Sequence, residues 1–488
     1  MIRREEILEL ASELGLRPQV VEKDYVLGWI LAGIARDEEL HNAWVFKGGT
    51  CLKKCYFETY RFSEDLDFTI KSTDHLNSDF LIGRFSALSE WLYDETGVEL
   101  PADKLRFDVW DTDRGSRAGQ GRIAYRGPIA PKSGDLPRIK LDLTADEKLV
   151  LPPALRPVAH PYSDFPGDGI NVHCYSFEEV FGEKVRALGE RARPRDLYDV
   201  INLFRNDDFQ VTASVIMDVL KQKCAFKNIA IPSLATLLSH RDELFADWET
   251  MLSHQLPFLP PAQSFWDALE TFFNWLNGAA ARTHLAAYPM KVGESVLRSP
   301  VGGLPVPARI ANHIEVIRFA ASNRLCVDLE YEDENGNRKK RLIEAYSLRR
   351  TSDNNILLHA VRHADGGDRT YRVDRIRGAT ITSQVFTPRY TIELTPTGLL
   401  SAPLTQRSAF AAPKMNSPLR PKSAKGFAAP KPAKIKTSSN TKHVFRCTVC
   451  GKTFRKSTYD GTLGEHKNKQ GQTCFGRIGT FVKTDYKW

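Results

Sequence analysis

The feature that most restricts how this chain can fold is a short apolar run, Trp44-Val45-Phe46-Lys47, that stops at Gly48-Gly49-Thr50 and is soon followed by Asp65-Leu66-Asp67. A strand ending in paired glycines lets the backbone approach phosphate oxygens closely, and a helix beginning at Thr50 would turn its first amides toward the same anion. Asp65 and Asp67 stand two apart at the start of a second strand, Leu66 to Ile70, so their side chains point the same way and can share metal ions. A third strand candidate, Ile139-Lys140-Leu141-Asp142-Leu143, supplies Asp142 and, on the same face, Lys140. An Asp-x-Asp at a strand edge alone is more often an exposed turn than a metal site. The ordered set is what predicts a phosphate- and metal-binding centre.

The flanking patterns place that centre in an α+β domain. Residues 2–14 and 18–36 read as amphipathic helices, the second with Val21, Tyr25, Ile30 and Ile34 near one face, and Thr50 to about Phe57 as a third. From Ser176 to about residue 277 the period is helical, broken at Leu256-Pro257-Phe258-Leu259-Pro260-Pro261, which predicts a helical lobe completing a catalytic domain over 1–280. A linker at 281–307 and a helix from Ala308 to Ser322 come next. Then follow short runs at Arg324 to Tyr331, Arg341 to Ser347, Asn355 to Val361, Thr370 to Val373 and Tyr390 to Leu394, with an Asn335-Gly336 hairpin signal. These runs predict a small β-rich domain over 308–400.

Charge divides the chain. Residues 401–488 hold 18 of the 68 Lys and Arg but 3 of the 60 Asp and Glu, which makes this end +15 and the first 400 residues −7. Residues 401–442, rich in Pro, Ala, Ser and Lys, predict a disordered basic linker, and 443–488 a separate small module. The basic end suits a polyanion such as nucleic acid, or is a solvated tail. No run is apolar enough for a membrane span and the start lacks a secretory core, so a cytoplasmic protein is expected. Cys51, Cys55, Cys174, Cys224 and Cys326 are scattered as reduced core thiols usually are. In the last module Cys447-x2-Cys450, His466 and Cys474 have the composition of a closed structural zinc site, the alternative being a redox or incidental thiol pair, with His443 outside the pattern.

The first part of the chain resembles the AbiEii/AbiGii-type toxin nucleotidyltransferases of the DNA polymerase β-like superfamily. The residues that carry this are Glu22-Lys23-Asp24-Tyr25, Phe46-Lys47-Gly48-Gly49-Thr50, Arg61-Phe62-Ser63-Glu64-Asp65-Leu66-Asp67-Phe68, Lys140-x-Asp142, Glu179-x3-Glu183-Lys184-x2-Ala187-Leu188 and Arg193-x-Arg195-Asp196-Leu197-Tyr198-Asp199. The resemblance implies a polymerase-β-like fold, Asp65 and Asp67 as the metal pair, and Gly48, Gly49 and Thr50 as the nucleotide-binding turn. It further implies Lys184 as the lysine that contacts nucleotide phosphates and Asp196 as a carboxylate required for activity. Asp142 is expected as the third Mg2+ (or Mn2+) ligand and Lys140 as a nucleotide-binding cation. Arg195 to Asp199 reads alternatively as a helix-surface ion-pair network.

Residues 308–395 resemble a WYL domain, a small β-barrel, through Ile317-x2-Ala320-x3-Arg324, Tyr331, Leu348-Arg349, Leu357-Leu358, Arg369-x-Tyr371-Arg372 and Phe386-x-Pro388-Arg389; the naming triplet is here Ile356-Leu357-Leu358. The resemblance implies a sensor of nucleic acid or nucleotide, with Arg349, Arg369 and Arg372 as ligand candidates, or else as partners of Asp365, Asp368 and Asp374. The family expectation for the whole is a metal-dependent toxin that transfers a nucleoside monophosphate from an NTP to an acceptor. RNA such as tRNA is the expected acceptor, in phage defence or beside a cognate antitoxin. The alternatives are a nucleic-acid-binding sensor with weak or absent transfer, and an enzyme that nucleotidylates protein.

Overall fold

The computed structural model describes the chain except residues 58–59, 130–134, 207–210, 283, 299–307, 395–440, 448, 457–461, 469–470, 475–478 and 487–488. The predicted basic linker at 401–442 therefore lies almost wholly outside the described residues. The chain divides into two compact units, Met1–Lys414 and Met415–Trp488.

The first sheet of the larger unit has seven strands: β1 Trp44–Lys47, β2 Asp65–Ile70, β3 Arg106–Asp111, β4 Arg117–Ala124, β5 Arg138–Thr144, β6 Ala154–Pro157 and β7 Asn171–Cys174. Their order is β3-β4-β5-β2-β1-β7-β6. β2 runs parallel to β5, and β1 parallel to β7, while the other neighbours are antiparallel. The helix Pro18–Arg36 is buried at nearly every position from Val21 to Ile34, so the one apolar face expected for it is widened to almost the full circumference. The helix expected to start at Thr50 starts at Gly48 and runs through Cys51, and its second part, Leu52–Tyr56, is a π turn.

The helices Phe177–Arg191, Pro194–Arg205 and Ala213–Lys227 open the predicted helical lobe, which shorter helices extend to Leu276. Their apolar faces join the core of the first sheet through Phe181, Val185, Leu197, Ile201 and Leu220.

The second sheet comprises β8 Glu294–Val296, β9 Leu325–Glu332, β10 Arg338–Thr351, β11 Ile356–Arg362, β12 Asp368–Arg372 and β13 Ile376–Val385. Its order is β12-β11-β10-β9-β13, with β8 also on β10. Although β12 and β13 are opposite ends of this ladder, only Val373–Arg375 separate them. Three residues span about 10 Å at most, so the sheet must curl into a partly closed barrel. Tyr331 on β9 meets Tyr371 on β12 inside the curl, with ring centroids 5.1 Å apart. The helix Ala308–Ser322 packs Ile314, Ile317 and Ala321 against it.

Three expectations change here. Residues 281–307 are not wholly a linker, since β8 pairs with β10 and Tyr288 is buried beside Tyr346. The strand expected at Tyr390 to Leu394 is reduced to a bridge between Glu393 and Ser347. The Asn-Gly turn is a longer loop, in which Asp333 accepts from the amides of Asn335 and Asn337 and Gly336 has φ 78°.

The smaller unit contains β14 Thr441–Cys447, β15 Thr453–Lys456, β16 His466–Lys467, β17 Thr473–Cys474 and β18 Gly479–Tyr486. They form a three-stranded sheet, β15-β14-β18, and a two-stranded one, β16-β17.

Candidate active site

One wall of a cleft of about 310 Å³ is built by strand register. Lys47 on β1 stands opposite Asp67 on β2, and Asp67 opposite Asp142 on β5; one step along, Asp65 stands opposite Lys140. Opposed residues on adjacent strands share a face about 4.8 Å apart, so Asp65, Asp67 and Asp142 converge. Gly48, at φ 81°, cannot be replaced freely, because a Cβ there would lie 2.2 Å from Asp67 Oδ2; one on Gly49 would lie 2.6 Å from Arg61 Nη2. The absence of side chains thus lets the Asp67 carboxylate and the Arg61 guanidinium lie directly against the backbone of the turn. Thr50 is buried and donates its hydroxyl to the Asp65 carbonyl at 2.5 Å, so its side chain fastens β2 and does not line the cleft with Gly48 and Gly49.

The facing wall comes from the helices Phe177–Arg191 and Pro194–Arg205. Lys184 Nζ lies 2.7 Å from Asp199 and 3.7 Å from Asp196. Asp196 also receives Arg191 through both oxygens, at 2.7 and 2.9 Å. Asp199 takes a two-point contact from Arg61, both at 2.7 Å, and the Tyr60 hydroxyl at 2.7 Å. Asp196 and Asp199 are therefore buried members of an ion-pair network and not of a surface one, and Arg195 and Asp196 line the cleft. Asp196 thus contacts both Lys184 and Arg191.

The two walls differ electrostatically. Burial raises the carboxyls of Asp65 and Asp67 above the usual range, against the pull of Lys23 and Lys140 on the first and Lys47 on the second, and Asp142 adds repulsion to both. Neither makes an ion pair or side-chain hydrogen bond among the described residues. Burial would raise Asp199 too, but Arg61 and Lys184 outweigh it and hold that carboxyl well below the usual range. Asp142 is shared between Lys140 at 2.6 Å and Gln120 at 3.1 Å.

Further residues support the centre. Each member of Glu22-Lys23-Asp24-Tyr25 fastens a different segment: Glu22 accepts from the Ile129 amide, Lys23 pairs with Glu64 beside Asp65, Asp24 forms a buried pair with Lys54 at 2.6 Å, and Tyr25 donates to Asp164. Glu179 receives Lys223 and the amides of Val150 and Leu151. Lys47, Glu147, Arg186 and Arg191 line the cleft and were not singled out as site residues in the sequence. Lys47 had a legible signal, as the last residue of a strand entering the glycine turn.

Residues 29–271 match the family model of the AbiEii toxin nucleotidyl transferases, a type IV toxin–antitoxin system. This part of the chain is an AbiEii nucleotidyltransferase domain. Residues 312–381 match the WYL domain model, so the nucleotidyltransferase is joined to a WYL domain. A solved structure it resembles is MenT4, a nucleotidyltransferase toxin from Mycobacterium tuberculosis H37Rv, at 18% identity and a TM-score of 0.35, covering 58% of this chain and 91% of that one. No curated protein matches. No helix among the described residues is long and apolar enough to cross a membrane.

In the WYL domain the arginine candidates separate. Arg349 is fully buried and bonded to Ser347, the Tyr288 carbonyl and Glu393, the last at 2.6 Å, so it does not face solvent. Arg369 pairs with Asp365, and Arg372 with Asp374, both partly exposed. Among the expected core thiols, Cys51, Cys55, Cys174, Cys224 and Cys326 are all buried.

The ligand atoms of Cys447, Cys450, His466 and Cys474 all lie within 4.8 Å of one another. Cys447 and Cys474 sulfurs are 3.8 Å apart and Cys450 Sγ is 3.4 Å from His466 Nε2. Zinc with Zn–S of about 2.3 Å and tetrahedral angles needs edges of about 3.5–3.8 Å, so these residues fit it. His466 Nδ1 faces the Gly464 carbonyl at 2.9 Å, which leaves Nε2 toward the thiols. Amides of Cys450 and Val449 bring the Cys447 thiol down to about 6, favouring the thiolate.

Proposed function

We propose that the cleft transfers a nucleoside monophosphate from an NTP to a hydroxyl of RNA, such as tRNA, and that the protein is a cytoplasmic toxin in phage defence with a cognate antitoxin as partner. One observation carries this reading: carboxylates without cation partners on β2 face a lysine and arginines on two helices across a single cleft. A polyanion carrying metal suits this arrangement, its cation meeting the strand carboxylates and its phosphates the basic side chains.

Asp65, Asp67 and Asp142 are the residues that would hold Mg2+ or Mn2+, since an all-oxygen donor set suits hard cations. Such a cation, when bound, neutralises phosphate charge and makes a nearby hydroxyl more acidic. Gly48 and Gly49 bring the backbone of the turn directly against Asp67, so that its amides can approach a phosphate held at that carboxylate. Lys184 meets phosphate as a point charge, and its pairing with Asp199 keeps it at the cleft wall in advance. Lys140, now bonded to Asp142, is released to phosphate when that carboxylate is otherwise occupied. Among the described residues no histidine lines the cleft, and none is assigned as base.

The zinc module and the basic end are assigned to contact with nucleic acid, through Arg446, Lys452, Arg455, Lys456, Lys467 and Lys469. Incubation with each labelled NTP, magnesium and total cell extract tests the main reading. Label removed by nuclease alone supports RNA as acceptor; label removed by protease alone replaces it with protein. Metal analysis should find one zinc per chain and none in Cys450→Ser.

A further inference from the structure

The register of the first sheet carries a row of positive charge away from the carboxylates. Arg106 on β3 stands opposite Arg122 on β4, Arg122 opposite Lys140 on β5, and Lys140 opposite Asp65 on β2. Opposed residues share a face, so three cations stand side by side and end at the metal-binding carboxylates, a distance of about 14 Å at one strand spacing per step. Arg138 is two residues before Lys140 and shares its face. Lys104, Arg106, Arg122 and Arg138 line one open depression of about 380 Å³, with Asp135 its one lining carboxylate among the described residues.

Like charges directly opposed across strands destabilise a sheet. Charges that merely blunt an edge strand can be of either sign, so a row of one sign asks for another cause. Arg122 is partly offset by Asp108 at 3.5 Å, and Lys140 by Asp142. Lys104, Arg106 and Arg138 are exposed and form no ion pair among the described residues. Trp110, four residues beyond Arg106 and hence on the same face of β3, is 46% exposed.

We propose that this strip is the acceptor track: the phosphodiester backbone of the RNA strand lies across β3, β4 and β5, held by Arg106, Arg122, Arg138 and Lys104, with its terminal hydroxyl at Asp65 and Asp67. This rests on RNA being the acceptor. Guanidinium groups bind phosphate through two parallel hydrogen bonds, and the indole of Trp110 offers a face on which a base stacks whatever its identity. The track therefore positions RNA and does not read its sequence.

The full chain carrying Arg106→Glu and Arg138→Glu tests this, by the KM for RNA from total extract and by the Kd for a short single-stranded RNA over a range of salt. Both constants should rise about tenfold or more, and the slope of log affinity against log salt should shrink by about 1.4, at about 0.7 per lost phosphate contact. The KM for the nucleotide should stay as in the wild type. Trp110→Ala should weaken RNA binding and leave the salt slope unchanged. Wild-type RNA constants in the double variant, at wild-type melting temperature, would overturn the track while leaving RNA as acceptor. Wild-type label found only on protein would overturn the RNA reading, and the track with it.

Discussion

The two walls of the cleft both present buried or half-buried aspartates, and they treat them in opposite ways. On the strand wall Asp65 and Asp67 are short of cations, and burial and mutual repulsion push their carboxyls up. On the helix wall Asp196 and Asp199 are saturated by Arg61, Lys184 and Arg191. A carboxylate left short of partners is held ready for a ligand from outside, whereas a saturated one holds the cations around it in place. Residue type is therefore a poor guide to role here, and partners decide it.

The largest effect expected from this contrast is on Asp67. Asp67→Asn should lower nucleotide transfer about a thousandfold or more without lowering the melting temperature. A carboxyl whose pKa is raised by folding costs stability once pH passes the unfolded value of about 4 and keeps costing it above the folded value. The variant should accordingly melt higher than wild type at neutral pH, and the gap should close as pH falls toward 4.

Asp199→Asn should do the reverse. It leaves Arg61 and Lys184 buried beside a neutral amide, at a cost of about 3–5 kcal/mol, readable by urea unfolding. The Asp199 carboxyl is depressed in the fold, so its contribution is fully present above about pH 4 and is lost as pH falls below that value. The difference between variant and wild type should shrink on acidification.

The same contrast recurs in the WYL domain with smaller effects. Arg349→Ala strands Glu393 in the interior and should destabilise by about 3 kcal/mol. Arg372→Ala breaks a pair open to solvent and should cost less than about 1 kcal/mol. Equal losses at the two positions would remove the distinction between them.

How far the sequence revealed this arrangement depended on whether partners were local. Asp65, Asp67, Asp142, Gly48 and Gly49 were legible because strand alternation and a glycine turn place them over a few residues. β4 was not, since Arg117-Ala118-Gly119-Gln120-Gly121 has little strand propensity and is held by its neighbours on both sides, and β3, though Phe107, Val109 and Trp110 favour a strand, pairs only with it. The cation row went unseen with them. Arg349 could be placed on a face with Ser347, but what covers that face is Tyr288 and Glu393, brought from distant segments. The role of the Thr50 hydroxyl was not legible, because its partner, the Asp65 carbonyl, is a backbone atom on another strand.

Titration of Mn2+ into wild type, Asp67→Asn and Asp199→Asn, followed by the loss of the free-ion paramagnetic signal, addresses the contrast most directly. Asp67→Asn should lose the tight Mn2+ of the cleft, and folded Asp199→Asn should keep it. Mn2+ bound as tightly by Asp67→Asn as by wild type, or lost from Asp199→Asn while it remains folded, would contradict the account.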